Sequence, residues 1–399
     1  MITIKNLRME KDGTSTKLIA DISSDFNRDD NEKNIWVSVA NEYANMLETK
    51  VYNMFLFLPL YMSMFYNSNL HICGPVSKIL YNKTDYIQGV MLDFSSKLKK
   101  VKVIVDGFGE SEGDHNIIGT GISCGVDCLQ TIFSHYANED DIEHRINALF
   151  ELNCGWHGYI NDPNTLKIFK ERCEENSKVA DDLSLPFIAV DSNLHAFLPK
   201  LKDQASYFCI YSCVFALEKG IGKYYISSSY SYYETVKYGY RSRENDFSEF
   251  GDVMLLPLAH SKCLEIIGDG SQYKRSEKIE LISDWIISKK YLNVCYKNNS
   301  TENCSVCHKC VRTLLPLEAM GKLKEYKNVF DIEKYKKIAY IEKCRMVAQR
   351  GYVAFQADNY QFCKRNGMKL PNLFVAHFSL LPEYLARLFK KIRRIINRQ

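Results

Sequence analysis

The chain has 399 residues, of which 46% are hydrophobic and 25% are charged. This composition is typical of an ordinary soluble protein and excludes a fibrous or low-complexity chain. The length exceeds that of one typical hydrophobic core and predicts two or three domains.

The net charge of +4 is unevenly distributed along the chain. Residues Tyr326–Gln399 contain 16 Lys and Arg against 5 Asp and Glu. A basic tail of this kind can contact nucleic acid, acidic lipid or an acidic partner protein, and it equally fits a solvated helical face. We predict a basic helical region over residues 326–399. It ends in an amphipathic segment, Arg387–Arg398, that is suited to binding a partner protein. Contact with nucleic acid stays open.

The pattern of residues 1–115 predicts a separate α/β domain. It does not assign this domain a chemical role. Strands are expected at Met1–Met9, Lys17–Ile22 and Val101–Phe108, and helical structure at Asn34–Glu48. The apolar run Val51–Tyr66 is 16 residues long, shorter than the span of about 20 residues that crosses a bilayer. It predicts a buried helix, and no membrane span is expected.

From Ile117 the pattern alternates between strand and helix, which predicts a parallel sheet covered on both faces within a domain at residues 116–325. The predicted strands and helices are Ile117–Gly121, Val126–Tyr136, Arg145–Leu152, Asn164–Ala180, Phe187–Val190, Ala205–Leu217 and Lys223–Ser228. In such sheets ligands bind beyond the carboxyl ends of the strands.

A candidate phosphate-binding loop, Ser123-Cys124-Gly125-Val126-Asp127-Cys128, follows the first of these strands. A strand that runs through a small-residue turn into a helix presents backbone N–H groups and a positive helix end to an anion. Gly121 and Gly125 permit close approach, and the Ser123 hydroxyl can donate to a phosphate. Asp127 can hold Mg²⁺ or accept N–H bonds from the loop. By itself the pattern also fits a structural turn.

Four cysteines near residue 300 have the spacing C-x8-C-x2-C-x2-C; they are Cys295, Cys304, Cys307 and Cys310. Four thiolates gathered on such turns can close a tetrahedral shell around Zn²⁺. A closed four-thiolate shell has no open position, so the predicted zinc is structural. Free thiols, this zinc site and the lack of a secretory signal in the opening MITIKNLRME predict a reducing, cytoplasmic location.

Other polar residues are weaker candidates, and each also fits a surface or structural role. They are Trp156 and His157 after the second predicted strand, the hydroxyls of 227–232, His260, Asp269 with Lys274 and Arg275, and His308, Lys309 and Arg312 in or beside the cysteine segment.

The loop and the four cysteines together resemble 7-cyano-7-deazaguanine synthase, of the PP-loop ATP pyrophosphatases, over about residues 117–325. The resemblance implies a Rossmann-like domain of the adenine nucleotide alpha hydrolase type, with a zinc knuckle at residues 295–310. It implies a ligase in which ATP adenylates a carboxylate, pyrophosphate leaves, and ammonia or an amine attacks. Gly121, Ser123, Gly125, Val126, Asp127 and Cys128 would bind ATP and Mg²⁺, with Ser123 and Asp127 as the catalytic pair.

Two residues depart from the S-G-G-x-D-S loop of that family. Cys124 stands at the first glycine, and Cys128 stands at the last serine, where a thiol is the poorer donor. Two alternatives therefore stay open: a nucleotide-binding interaction subunit without turnover, and a tRNA sulfur transferase that uses the loop thiols.

The segments around ISSSYSYYE and the N-terminal extension differ from those of the housekeeping enzyme and look like a divergent branch of synthase-like proteins with an added front domain. Some relatives of this sort modify a partner protein in bacterial antiphage operons, and others lie near polysaccharide genes. The resemblance leaves the acid open among a deazaguanine acid, a sugar acid and a protein terminus, because fold does not fix substrate.

Overall fold

The computed structural model describes residues 1–28, 30, 32–158, 162–197, 202–238, 253–295, 302–386 and 389. The chain forms two compact units. The first comprises Met1–Ser123 and Asp127–Tyr273, and the second comprises Cys124–Val126 and the described part of Lys274–Gln399. The predicted domain boundaries near residues 115 and 325 do not coincide with this division.

One ten-stranded sheet runs through the first unit in the order β10-β9-β6-β7-β8-β3-β2-β1-β4-β5. The strands are β1 Ile2–Asp12, β2 Ser15–Ser24, β3 Asn34–Ala40, β4 Leu70–Val76, β5 Val103–Phe108, β6 Ile117–Gly121, β7 Ala148–Leu152, β8 Phe187–Ser192, β9 Ile221–Ser227 and β10 Glu265–Asp269. Six of the nine pairings are parallel, so the expected α/β class with a large parallel sheet is confirmed.

The N-terminal strands continue the same sheet because β3 pairs antiparallel with β8, with Val37 opposite Ser192. The predicted helix at Asn34–Glu48 is therefore wrong over its first half. Alternating β-branched residues place Ile35, Val37 and Val39 on the buried face of a strand. A short 3₁₀ helix, Asn41–Met46, follows the strand.

Strands β6 to β10 form an all-parallel half of the sheet, in the order β10-β9-β6-β7-β8. The chain builds outward from β6 through β7 and β8, then returns to the other side of β6 with β9 and β10. The strand order therefore reverses between β6 and β9. A crevice forms at such a reversal, beyond the carboxyl ends of the strands.

Six helices belong mainly to the first unit: α1 Leu58–Phe65, α2 Lys78–Phe94, α3 Val126–Ile132, α4 Pro163–Leu183, α5 Lys202–Ala216 and α6 Tyr232–Tyr238. A π-helical turn, Phe133–Ala137, extends α3. The apolar run at Val51–Tyr66 is a buried 3₁₀ turn, Asn53–Leu56, followed by α1. Phe57 packs against Phe215 with ring centroids 4.8 Å apart, so α5 covers this segment.

The second unit is helical, with α7 Arg275–Ile282, α8 Ile286–Tyr291, α9 His308–Ala319, α10 Ile332–Gln349, α11 Ala354–Arg365 and α12 Leu373–Ser379. The predicted basic segment Arg387–Arg398 lies outside the described residues apart from Phe389. Within the described ranges, no helix is both long enough and apolar enough to span a bilayer.

Candidate functional site

The candidate phosphate loop connects β6, which ends at Gly121, with α3, which begins at Val126. It therefore leaves the central strand of the parallel half at its carboxyl end, beside the reversal of strand order. Ser123 is exposed, and Asp127 is half-buried. The loop therefore carries one hydroxyl and one carboxylate side chain at this end of the sheet.

Cys124 has a left-handed backbone conformation, with φ of +54°. Its side chain is buried, with 4% of the residue exposed. Left-handed φ values favour glycine, because a Cβ atom crowds the neighbouring backbone there. The position that corresponds to the first glycine of the resembled loop thus keeps the backbone geometry of a glycine.

The Cys128 thiol makes two hydrogen bonds to the backbone at the start of the loop. Its sulfur accepts the Ser123 N–H at 3.3 Å and donates to the Gly121 carbonyl oxygen at 3.3 Å. The thiol is buried, so its contacts stabilise the turn. At Gly121 itself, an added Cβ would lie 3.4 Å from the Tyr224 hydroxyl oxygen, so this glycine leaves little space to spare.

The helix after the loop is held by Asp269 at the carboxyl end of β10. Its carboxylate accepts from Thr131 Oγ1 at 2.8 Å and from Gln130 Nε2 at 3.0 Å, and lies 3.1 Å from His135 Nε2. Burial by itself would raise the pKa of this carboxyl, but the hydrogen bond and charge of His135 and the bond from Thr131 lower it to about 2. Asp269 was a weak candidate in the sequence, and its partners make it an anchor for α3.

Two hydroxyls of residues 227–232 are used inside the fold. Ser227 Oγ donates to Thr131 Oγ1 at 2.9 Å, and Ser231 Oγ donates to Glu234 Oε2 at 2.8 Å. The strand end after β9 therefore fits a structural role. In the second unit, Lys274 and Arg275 are found at the start of α7, where Arg275 is buried.

Other sequence candidates have ordinary structural surroundings. His260 Nε2 lies 2.6 Å from Lys83 Nζ, and burial followed by that cation lowers the pKa of His260. Trp156 is exposed. In the second unit His308 is exposed and Lys309 half-buried, whereas the Arg312 guanidinium lies 4.0 Å from the centre of the Phe355 ring.

A buried histidine–carboxylate pair lies at the carboxyl end of β7, next to β6. His157 Nε2 is 3.0 Å from Glu151 Oε1, and Asn176 Nδ2 donates to Glu151 Oε2 at 2.6 Å. Asn176 also donates to the Ile122 carbonyl oxygen at 3.3 Å, which links the pair to the start of the loop. Sequence reasoning singled out His157 but missed Glu151 and Asn176, because a strand residue and a helix residue 25 positions apart show no local pattern.

Acidic groups dominate the surroundings of this pair. Burial raises the pKa of Asp191, although Asn153 donates to its carboxylate at 2.7 Å. Burial, followed by the charges of Glu151 and Asp191, raises the pKa of the Cys173 thiol to about 12. This edge of the sheet therefore favours a cationic or N–H-donating ligand over an anion.

The four predicted cysteine ligands come together in the second unit. Their sulfur atoms all lie within 4.8 Å of one another. Measured separations are 3.9 Å for Cys295–Cys307, 4.0 Å for Cys304–Cys310 and 3.5 Å for Cys307–Cys310. A tetrahedron with Zn–S bonds of about 2.3 Å has edges of about 3.8 Å, so the four thiols fit one zinc ion.

Backbone geometry around the cysteines supports thiolates. The Cys307 N–H points at the Cys304 sulfur at 3.3 Å, and the Cys310 N–H at the Cys307 sulfur at 3.5 Å. Burial would raise the pKa of Cys304, but amides of Val306 and Cys307 lower it to about 7. Bonds from amides to sulfur stabilise the negative charge that a metal-bound thiolate carries.

The segment that leads into this cluster also touches the phosphate loop. Asn293 N–H donates to the Cys124 carbonyl oxygen at 2.8 Å, and both residues belong to the second unit. Asn303 ties the same segment together, since its Oδ1 accepts the Val294 N–H at 2.8 Å and its Nδ2 donates to the Leu292 carbonyl at 2.8 Å.

Comparisons with known proteins identify no relative: no family model, curated protein or solved structure matches this chain. The functional assignment therefore depends on the site itself.

Proposed function

We propose that the chain is an ATP-dependent ligase of the PP-loop pyrophosphatase type, built on a Rossmann-like adenine nucleotide-binding domain. It would adenylate a carboxylate, release pyrophosphate, and transfer the acyl group to ammonia or an amine. The observation that carries the proposal is the position of Ser123–Cys128, at the carboxyl end of the central parallel strand where the strand order reverses.

The loop residues have separate roles in this proposal. Ser123 is exposed and would donate its hydroxyl to a phosphate oxygen. The amino end of α3 would add favourable charge for an anion. Asp127, an oxygen donor in the first turn of α3, would hold Mg²⁺. Bound Mg²⁺ supplies positive charge against the departing pyrophosphate.

Zinc would have a structural role at the four cysteines. All four ligands are protein thiolates, so no position is left for substrate or water. The metal would act on the loop through the hydrogen bond from Asn293 to Cys124, because Asn293 lies two residues before the ligand Cys295. Zinc would thus fix the backbone that the nucleotide contacts.

The burial of both loop thiols argues against sulfur transfer. Cys124 and Cys128 are 4% and 5% exposed, and Cys128 is engaged in loop hydrogen bonds. Reactive cysteines are accessible and their thiolates are stabilised by nearby positive charge. An interaction subunit without turnover remains a distinct outcome, which the experiment below separates from a ligase.

Calorimetry with MgATP and detection of AMP and pyrophosphate test the proposal. Wild-type protein is expected to bind MgATP and to release pyrophosphate when 7-carboxy-7-deazaguanine or another cognate acid is supplied. Ser123→Ala and Asp127→Asn should lower turnover by about 10²-fold or more. Asp140→Asn, an exposed acid before β7, is the matched control and should behave as wild type.

Two results would count against a ligase. Absence of MgATP binding by the zinc-loaded wild-type protein overturns the nucleotide site. Tight binding without AMP formation, with carboxylic acids and the products of neighbouring genes present, supports the interaction subunit instead.

A further inference from the structure

His157 has a buried side chain, and one of its ring nitrogens has no partner among the described residues. Its side chain is 7% exposed, as is that of Glu151. Nε2 lies 3.0 Å from Glu151 Oε1, whereas Nδ1 is buried and makes no hydrogen bond to any part of the chain that the structure describes. A buried polar atom without a partner costs about 1–3 kcal/mol, so a ligand that donates a hydrogen bond would be stabilised here.

Glu151 determines which nitrogen is basic. An ionised carboxylate only accepts hydrogen bonds, so the proton of a neutral His157 ring belongs on Nε2, and Nδ1 carries a lone pair. The second carboxylate oxygen is held by Asn176 at 2.6 Å. Phe169 packs edge-on against the imidazole, with ring centroids 5.3 Å apart. The ring is therefore fixed with a base directed away from its carboxylate.

This base follows β7, the strand that pairs with β6 and so lies next to the phosphate loop. Glu151 is near the end of β7, and Ile122, the residue before the loop, donates its N–H to the Phe150 carbonyl oxygen at 2.8 Å. Asn176 contacts both the Glu151 carboxylate and the Ile122 carbonyl. An acyl adenylate with its phosphate at the loop would thus have this edge of the sheet beside it.

We infer that His157 is the general base of the amide-forming step, with ammonia or a primary amine as the ligand at Nδ1; the inference depends on the proposed ligase function. The amine nitrogen bonds to the acyl carbon, and the bond from that carbon to the AMP oxygen breaks. AMP leaves with the electron pair, and the amine proton passes to Nδ1. Glu151 positions the ring and stabilises the imidazolium, as a carboxylate partner does for other catalytic histidines.

The test separates adenylation from amine transfer, with 7-carboxy-7-deazaguanine as the acid and either ammonium or hydroxylamine as the nucleophile. His157→Gln should keep ATP–pyrophosphate exchange within about twofold of wild type but lose amide formation by about 10²–10⁴-fold. Hydroxylamine is largely unprotonated at neutral pH, so hydroxamate formation should persist. Glu151→Gln should show the same pattern with a smaller loss, and His144→Gln, an exposed histidine before β7, should match wild type.

Each result has one consequence. An unchanged amide rate in folded His157→Gln protein overturns the base assignment and leaves the ligase intact. Exchange that is absent in the wild type removes the proposed function, and the base assignment with it. Nitrogen-15 spectra of histidine-labelled protein, assigned by difference against His157→Gln, should show protonated Nε2 and bare Nδ1 at about pH 7.5. A ring protonated at Nδ1 overturns the inference whatever the acid.

Discussion

His135 Nε2 lies 3.1 Å from Asp269 Oδ1, and this pair joins the helical segment after the phosphate loop to the end of β10. The His135 ring also stacks on Tyr225, with centroids 4.0 Å apart. The contact fixes the π-helical turn that follows the carboxyl end of α3. Its strength depends on the ionisation of Asp269, which gives it a measurable pH dependence.

We expect the Asp269 contact to stabilise the fold above about pH 4 and to weaken below it. The folded pKa of about 2 is lower than the usual value of 3.8, so the folded state resists protonation. The contribution, about 2 kcal/mol, is present above the unfolded pKa and is lost as the pH falls from about 5 to 2. Urea unfolding of wild type and Asp269→Asn should therefore converge at low pH.

Any loss of metal from the four cysteines at low pH would affect both proteins equally, so the difference between them isolates Asp269. A constant gap between their unfolding free energies from pH 6 to about pH 3 would contradict the assigned role of its charge.

For Glu218 we expect the opposite pH dependence of the free energy of unfolding. Burial raises its pKa to about 7, although Ser261 and Asn53 donate hydrogen bonds to it. The folded state therefore holds this proton more tightly than the unfolded state does. Stability should be highest below about pH 4.5 with respect to this group, and should fall by about 3 kcal/mol as the pH rises through 7.

The change in unfolding free energy between pH 5 and 8 measures this effect. Glu218→Gln cannot ionise and should lack that slope, even if its absolute stability is lower because one hydrogen bond is mismatched. A slope equal to that of wild type would exclude Glu218 as the source.

We expect purified protein to contain one zinc ion per chain, held by the four cysteines. Cys307→Ser should lose the metal and lower the thermal midpoint by roughly 5 °C or more, because metal binding stabilises the folded state. Cys263→Ser is the control, since its thiol is half-buried in the first unit and donates to the Ser111 carbonyl oxygen at 3.3 Å. Elemental analysis measures the zinc content, and calorimetry measures the thermal midpoint. A metal-free wild type of full stability would refute the zinc site.

Replacing Cys124 should separate backbone geometry from side-chain chemistry. Glycine relieves the left-handed strain at φ +54° and should compensate for the lost thiol contacts, leaving stability within about 1 kcal/mol of wild type. Cys124→Val should cost at least about 2 kcal/mol, because a β-branched residue is poorly tolerated there. Chemical denaturation measures both, and equal losses would show that the thiol itself matters.

Cys128→Ser tests the role of the second loop thiol. A serine hydroxyl can keep both the Ser123 N–H and the Gly121 carbonyl as partners, and it is the better donor. Turnover should therefore be unchanged or higher, and Cys128→Ala should be the less stable variant by about 1 kcal/mol. A loss of turnover in Cys128→Ser, measured as AMP release, would instead point to sulfur chemistry.

Local patterns in the sequence were enough for some of these features. The three-residue spacing of Cys304, Cys307 and Cys310 predicted a cluster, and the alternation after Ile117 predicted parallel strands. The apolar run at Val51–Tyr66 was correctly expected to be buried. Each of these signals is contained within a short stretch of chain, where periodicity and spacing are direct consequences of local geometry.

The pairing of strands that are distant in the chain could not be predicted from the sequence. The strand at Asn34–Ala40 was expected to be helical, since its alternation becomes decisive only when its buried face meets the rest of the sheet. For the same reason the N-terminal strands could not be joined to β8, which lies about 150 residues later. The order of strands, with its reversal beside β6, follows from these pairings.

The sequence by itself therefore determined the four cysteines of a cluster that can hold a metal, the α/β class and the position of a turn between a strand and a helix. Only the tertiary structure decided which carboxylate accompanies which histidine, as for His157 with Glu151 and His135 with Asp269. The physical reason is that thiol spacing and backbone periodicity are set by neighbouring residues, whereas a buried histidine–carboxylate pair depends on which strand ends and helices are brought together by packing.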